Sequence, residues 1–221
     1  MNLFFLIAIE LILAYLIGSI PSAVWAGRWF YGIDIREHGS GNAGATNVIR
    51  VLGYKAGIPV LLFDVFKGWF AVQIAWIFPH AAVSADWLEY MRIGLALAAV
   101  LGHVFPVFAG FRGGKGVGTL AGVGIALYPI ALLIVLGIFI LTLVITRYVS
   151  LSSMLGAVAF PFAVAFITGE RHLGLLILAV LVALFVPLTH IKNIRRLIKG
   201  EENRFRFRRN DTNDQPPGTP S

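Results

Sequence analysis

Two glycine-rich stretches supply the backbone and side chains that chemistry on an anion would need. The first runs His38-Gly39-Ser40-Gly41-Asn42-Ala43-Gly44-Ala45-Thr46-Asn47, with Arg50 three residues on. Its glycines let successive N–H groups curl around a negative charge. Ser40, Asn42, Thr46 and Asn47 add uncharged donors, and Arg50 offers a bidentate fork. That set suits a phosphate. Gly39, Gly41 and Gly44 also fit the spacing of a dinucleotide fingerprint, but that motif needs a strand before it and a parallel strand after a crossover helix. Hydrophobic runs flank it here, so the spacing is a coincidence. A tight loop with capping residues is the plainer alternative.

The second stretch, Arg112-Gly113-Gly114-Lys115-Gly116-Val117-Gly118-Thr119, comes near a P-loop but misses its spacing. Ala109 stands where the first glycine belongs, and Gly116 replaces the Ser or Thr. What it keeps is an exposed backbone leading into a helix N-terminus beside the full charge of Lys115, and that combination attracts an anion. A simple cytosolic turn would explain the charges but not four glycines in six positions.

Two later segments add polar groups. In Thr146-Arg147-Tyr148-Val149-Ser150, the serine is read as the cap of the next helix. In His190-Ile191-Lys192-Asn193, the histidine and asparagine share a helix face at i and i+3. Asp64 and Lys67 lie one turn apart at membrane depth, where an internal structural ion pair is expected. His103 is a second histidine that either lines the cavity or is simply buried and hydrogen-bonded.

The elements that must position these groups are apolar. Of 221 residues 58% are hydrophobic and only 13% charged, with mean hydropathy +0.82, so the chain belongs in lipid. Runs between breakers give spans near 3–24, 56–79, 88–109, 113–127, 129–146, 151–168 and 173–189. Pro129 divides what would otherwise be one long helix and leaves the fourth span short. Glu10 within the first run and the lack of a basic leader argue against a removed signal peptide. Lysine and arginine stay in cytoplasmic loops. Seven spans with the N-terminus outside put Arg28, Arg36, Arg50, Lys55, Arg112, Lys115, Arg147 and the basic run from Lys192 inside, leaving only Arg92 and Arg171 outside.

The expectation is therefore an all-α integral membrane protein of seven transmembrane helices with a cytosolic C-terminus. Residues 1–205 form one bundle, and 206–221 are a polar, proline-rich tail expected to be disordered. The polar segments 29–55, 110–118, 146–152 and 190–205 then meet at one membrane face. The net charge of +7 reflects loop bias and anionic lipids or substrates, not nucleic acid. With no cysteine, thiolate metal sites and cysteine acyl-enzymes are excluded.

Taken together, Gly18 to Ser22, Gly39 to Asn47, Asp64 to Gly68, Gly102-His103 with Pro106 to Phe108, Gly113 to Thr119 and His190 to Glu202 resemble the bacterial acyl-phosphate-dependent glycerol-3-phosphate acyltransferases of the PlsY type. Ala43 is a mild departure from that pattern. The resemblance implies seven spans in the bacterial inner membrane and an active site facing the cytosol. It implies that acyl-phosphate and glycerol 3-phosphate give lysophosphatidic acid and phosphate, the first step of phospholipid synthesis. It maps Ser40, Arg50 and Lys115 to phosphate contacts, with His190 and Asn193 completing the catalytic set. Gly39, Gly41, Asn42, Thr46, Asn47, His103, Gly113, Gly114 and Ser150 are expected as substrate contacts. No metal, cofactor or obligatory protein partner is expected.

An acyl-phosphate is already a mixed anhydride, so the protein need mainly hold two anions together, orient a hydroxyl and neutralise the departing phosphate. No histidine is followed five positions later by aspartate, which disfavours the H-x-x-x-x-D chemistry of thioester-dependent acyltransferases. An organic-phosphate transporter is the alternative from another class. It would want anion ligands near midplane and an inverted repeat, and neither is evident.

Overall fold

The computed structural model describes residues 3–77 and 84–205. The tail expected to be disordered, 206–221, and the last two residues of the expected second span lie outside them. Among the described residues every regular element is helical: α1 Leu3–Gly18, α2 Ser22–Tyr31, α3 Ala45–Leu52, α4 Tyr54–Gln73, α5 Ala85–Val104, α6 Val117–Leu127, α7 Pro129–Thr146, α8 Val149–Phe162, α9 Leu173–Thr189 and α10 Ile191–Ile198. Helices satisfy their own backbone in hydrocarbon, which is why so apolar a chain folds this way.

By length and composition four segments are able to cross a membrane: Tyr54–Trp76, Ala85–Ala109, Pro129–Thr146 and Val149–Ile167. The number rises to six if α1 with α2 and α9 with α10, bent by 42° and 59°, each count as one span. The seventh expected span is α6, an apolar helix of 11 residues. The expected first span of 3–24 is not one helix. Gly18 closes α1, and Pro21, which cannot donate to a helix ladder, precedes α2. The expected fourth span is also shorter than read, because Gly113 to Gly116 are not helical and α6 begins only at Val117. The break at Tyr128-Pro129 is present as expected, with Pro129 opening α7.

Small residues set the helix packing. A Cβ added at Gly18 would strike the Ala99 carbonyl, and one at Gly102 the Tyr15 carbonyl, so α1 and α5 touch backbone to backbone. Gly68 against Thr119 and Gly122 against Val65 do the same for α4 and α6. Close approach of this kind is how helices associate where lipid removes the hydrophobic drive between them. α7 buries only Ala131 and turns most of its surface outward.

The expected Asp64–Lys67 pair is present at 2.8 Å and fully buried. Ser22 Oγ donates to Asp64 Oδ1 at 2.7 Å, and Lys67 Nζ donates to the Ile20 carbonyl at 2.9 Å. The pair thus anchors the α1–α2 break onto α4, satisfying charges that would be costly alone at this depth.

Candidate active site

Three helices begin at one end of the bundle around a single cavity of about 190 Å³. Gly44, Ala45 and Thr46 of the α3 start line it, as do Gly116, Val117 and Gly118 of the α6 start and Val149 and Ser150 of the α8 start. No side chain caps any of these three N-termini. Each therefore presents unpaired N–H groups and the positive end of its dipole, and all three converge on one volume.

The first glycine loop is held by its own asparagine. Asn47 is buried; its Oδ1 accepts from Ser40 N at 2.8 Å, and its Nδ2 donates to the carbonyls of Ile35 and His38. Gly41 sits at φ +71° and donates its N–H to the His38 carbonyl, a left-handed turn that glycine adopts without strain. Ser40, Asn42, Thr46 and Asn47 border the cavity, whereas Gly39 and Gly41 do not. The expected backbone cradle around an anion is thus corrected for this loop. Its amides at 40 and 41 serve the turn, and the facing donors are side chains together with the α3 N-terminus.

The second loop departs further from expectation. Gly113 N–H donates to the Val104 carbonyl and Gly114 N–H to the His103 carbonyl, so neither is free for a ligand, and neither residue borders the cavity. A Cβ at Gly113 would meet the His103 carbonyl, and one at Gly114 would meet His103 Nε2. These glycines exist so that the loop can lie directly on the end of α5. Gly116, at φ +81°, then turns the chain into α6.

The loop presents Lys115, whose Nζ donates to Asn193 Oδ1 at 2.5 Å. Burial pulls this ammonium down to about 8, with Arg196 and Arg50 acting in the same direction and Glu202 opposing. Arg50, on the last turn of α3, borders the same cavity, and its guanidinium makes no hydrogen bond or ion pair to protein among the described residues.

His190 and Asn193 both reach the cavity, though not from one helix face. His190 is the junction between α9 and α10, and Asn193 lies in the first turn of α10, its N–H bonded to the His190 carbonyl. His190 Nδ1 lies 2.7 Å from the Val186 carbonyl. A carbonyl only accepts, so Nδ1 carries the proton and Nε2 keeps a lone pair. Burial first, and the Lys115 charge second, push the imidazole down to about 4, leaving it neutral near pH 7.

Contrary to the sequence expectation, Ser150 does not cap α8; it lies one residue inside the helix and donates to Glu202 Oε1 at 2.7 Å. Asn193 Nδ2 donates to the same oxygen at 2.7 Å, and Arg196 Nε lies 3.0 Å from Glu202 Oε2. Glu202, Arg196 and Asp64 border the cavity without having been singled out for it. The available signals for Glu202 were an acidic residue after the basic run and its place at the end of the His190 to Glu202 stretch. His103 is buried, borders the cavity and stands 3.6 Å from Asp64 Oδ1. Arg36, likewise missed, pairs with Asp34 at 2.7 Å and donates to the Ala109 carbonyl at 2.8 Å, tying the two glycine loops together.

A second, apolar groove of about 350 Å³ runs from this site between α4, α6, α7, α8 and α9. Leu61, Val117, Gly118, Phe139 and Ser153 border both spaces. A polar cavity thus opens directly into an apolar groove.

The family model described as glycerol-3-phosphate acyltransferase matches residues 8–200. The chain belongs to this acyltransferase family. It is similar to the glycerol-3-phosphate acyltransferases of Chlorobium phaeobacteroides, at 47% identity over 92% of this chain and 98% of the relative, and of Chlorobaculum tepidum, at 45% over 90% and 96%. Among solved structures it is similar to PlsY (YgiH), an integral membrane glycerol 3-phosphate acyltransferase, at 36% identity covering 90% of this chain and 95% of that one. The TM-score is 0.78 for the glycerol 3-phosphate form and 0.76 for the lysophosphatidic acid form. This acyltransferase is therefore an integral membrane protein, and the transporter alternative finds no support in these matches.

Proposed function

We infer that this chain transfers a fatty acyl group from acyl-phosphate to the sn-1 hydroxyl of glycerol 3-phosphate, giving lysophosphatidic acid and inorganic phosphate as the first step of phospholipid synthesis. The observation that carries it is the junction of two environments: three helix N-termini with Arg50 and Lys115 on one side, and an apolar groove on the other. A substrate that is anionic at one end and aliphatic at the other fits that junction. The solved PlsY forms with glycerol 3-phosphate and with lysophosphatidic acid support the acceptor and product.

In the reaction the sn-1 oxygen of glycerol 3-phosphate forms a bond to the acyl carbon, and the bond from that carbon to the phosphate oxygen breaks. The hydroxyl proton passes to His190 Nε2 or to an oxygen of the leaving phosphate, and phosphate departs with the bonding pair. Arg50, Lys115 and the α3, α6 and α8 N-termini draw the two anions together and neutralise charge building on the leaving phosphate. Charge-assisted hydrogen bonds of roughly 1.5 to 3 kcal/mol each offset the repulsion between two phosphates. His190, neutral and with Nε2 unprotonated, accepts the hydroxyl hydrogen bond and orients it. Ser40, Asn42 and Thr46 contribute neutral donors, while Asn193 holds Lys115 in place through its Oδ1.

The same reading gives seven spans in the bacterial inner membrane, with α1 and α2 as the first and α6 as the short one, N-terminus outside and C-terminus cytosolic. Residues 1–205 act as one bundle. Its support is the crowding of lysine and arginine onto the end of the bundle that carries the cavity, as expected of cytoplasmic loops. The reading invokes no cofactor, nucleic acid or protein partner. Purified chain given palmitoyl-phosphate and glycerol 3-phosphate should release lysophosphatidic acid and phosphate in equal amounts. Passage of glycerol 3-phosphate into liposomes without acylation would put the transporter in its place.

A further inference from the structure

The apolar groove has a definite end. Tyr128, at the break between α6 and α7, and Phe160 of α8 are both buried and meet edge to face with ring centroids 5.0 Å apart and planes at 81°. The Tyr128 hydroxyl donates to the Leu175 carbonyl at 2.8 Å, pinning that ring to the start of α9. Both rings line the groove, at the end away from the polar cavity. Such a pair is rigid, because edge-to-face contact and the hydroxyl bond each fix ring orientation.

We propose that the Tyr128–Phe160 pair is the floor of an acyl ruler that sets how many carbons of the acyl chain are gripped. The proposal rests on the acyl-transfer reading above. Two walls give the same depth. On α8, Ser153 at the polar mouth and Phe160 at the floor are seven residues apart, and on α7 so are Phe139 and Leu132. At 1.5 Å per residue each wall is about 10 Å long. An extended chain with C–C bonds of about 1.5 Å advances roughly 1.3 Å per carbon, so about eight carbons reach the rings. Beyond that the chain must turn out into the bilayer. The groove permits it, since Leu62 and Leu136 on its rim are exposed to the surroundings at 63% and 46%.

The test is kcat/KM measured across saturated acyl-phosphates from hexanoyl to palmitoyl, with glycerol 3-phosphate as acceptor. Each methylene that enters the groove should raise kcat/KM about threefold to fourfold, and the rise should flatten close to the octanoyl donor. Phe160→Ala should move that flattening two or three carbons longer, and Ala157→Phe, which fills the groove part-way down, should move it shorter. Tyr128→Phe keeps the ring and should leave it in place. The comparison is between donors within one variant, so a reduced yield of folded protein cancels. Phe160→Leu gives a smaller shift in the same direction if the alanine variant does not accumulate. A flattening point that stays fixed in Phe160→Ala and Ala157→Phe, or a wild-type profile that never flattens, overturns the ruler and leaves the acyl-transfer reading standing. Wild-type protein that acylates glycerol 3-phosphate from no donor in the series overturns both.

Discussion

Both glycine loops were expected to offer backbone to an anion, the first by curling amides around it and the second by leading into a helix N-terminus beside Lys115, and they are built on different principles. In the first, glycine supplies conformation: Gly41 takes a left-handed turn and Asn47 ties Ser40 to the Ile35 and His38 carbonyls. In the second, Gly113 and Gly114 supply absence, because the loop lies on the end of α5 where any Cβ would strike His103. In both, a helix start and one cation are left over for a ligand, Arg50 in the first case and Lys115 in the second, joined in the first by the Ser40, Asn42 and Thr46 side chains. Glycine richness in such a loop is thus no measure of how many amides stay free for a ligand; what counts is where the following helix begins.

The largest test of this difference removes the cations. Lys115→Ala and Arg50→Ala should each lower kcat/KM for glycerol 3-phosphate about 100-fold, the scale of losing a charged contact made at the reacting phosphates. Both should keep the monodisperse elution and helical circular dichroism of the folded protein. Near-normal turnover in both would dissolve the shared anion site.

Substitution of the glycines separates the two principles. Gly114→Ala should cost some tenfold to 100-fold in activity along with a lowered Tm, as the new methyl displaces His103. Gly114→Asn should be worse. Gly41→Ala should cost roughly 1 to 2 kcal/mol of turn strain, and Gly41→Asn less, since asparagine visits the left-handed region more readily. Equal tolerance of asparagine at both positions would erase the distinction.

A pH profile isolates the second loop. The Lys115 ammonium, held down to about 8, is protonated below that pH and lost as pH rises through it. kcat/KM for glycerol 3-phosphate should therefore fall on the alkaline side, by roughly tenfold one unit above the pKa. Lys115→Arg keeps its charge there and should move the limb upward even if its absolute rate is lower. An alkaline limb unchanged by that replacement would assign the titration to another group. The smallest effect belongs to Ser150→Ala, which removes one of two donors to Glu202 Oε1. Steady-state kinetics should show a loss of about threefold, because Asn193 still holds that oxygen.

Much of this protein was legible in the chain. Its apolar runs fixed an all-helical membrane protein, because hydrocarbon leaves the backbone no other way to pair its N–H and C=O groups. Pro129 marked a real helix end, and the Asp64–Lys67 spacing marked a real buried pair. Ser40, Arg50, Lys115, His190 and Asn193 could be picked out by type, and all five border one cavity. The order of the motifs was enough to suggest the family.

Tertiary structure decided the remainder. Ser150 reads locally as a helix cap, yet it bonds to a glutamate 52 residues away. Gly113 and Gly114 read as ligand-facing, yet their amides are spent on α5 carbonyls that only packing brings near. The convergence of the α3, α6 and α8 starts is invisible to any window of sequence, and so is the floor that Tyr128 and Phe160 make together. The physical reason is the same in each case. Composition and spacing report what a segment does with its own neighbours, while the partner of a hydrogen bond and the wall of a cavity come from helices that meet only when the bundle closes.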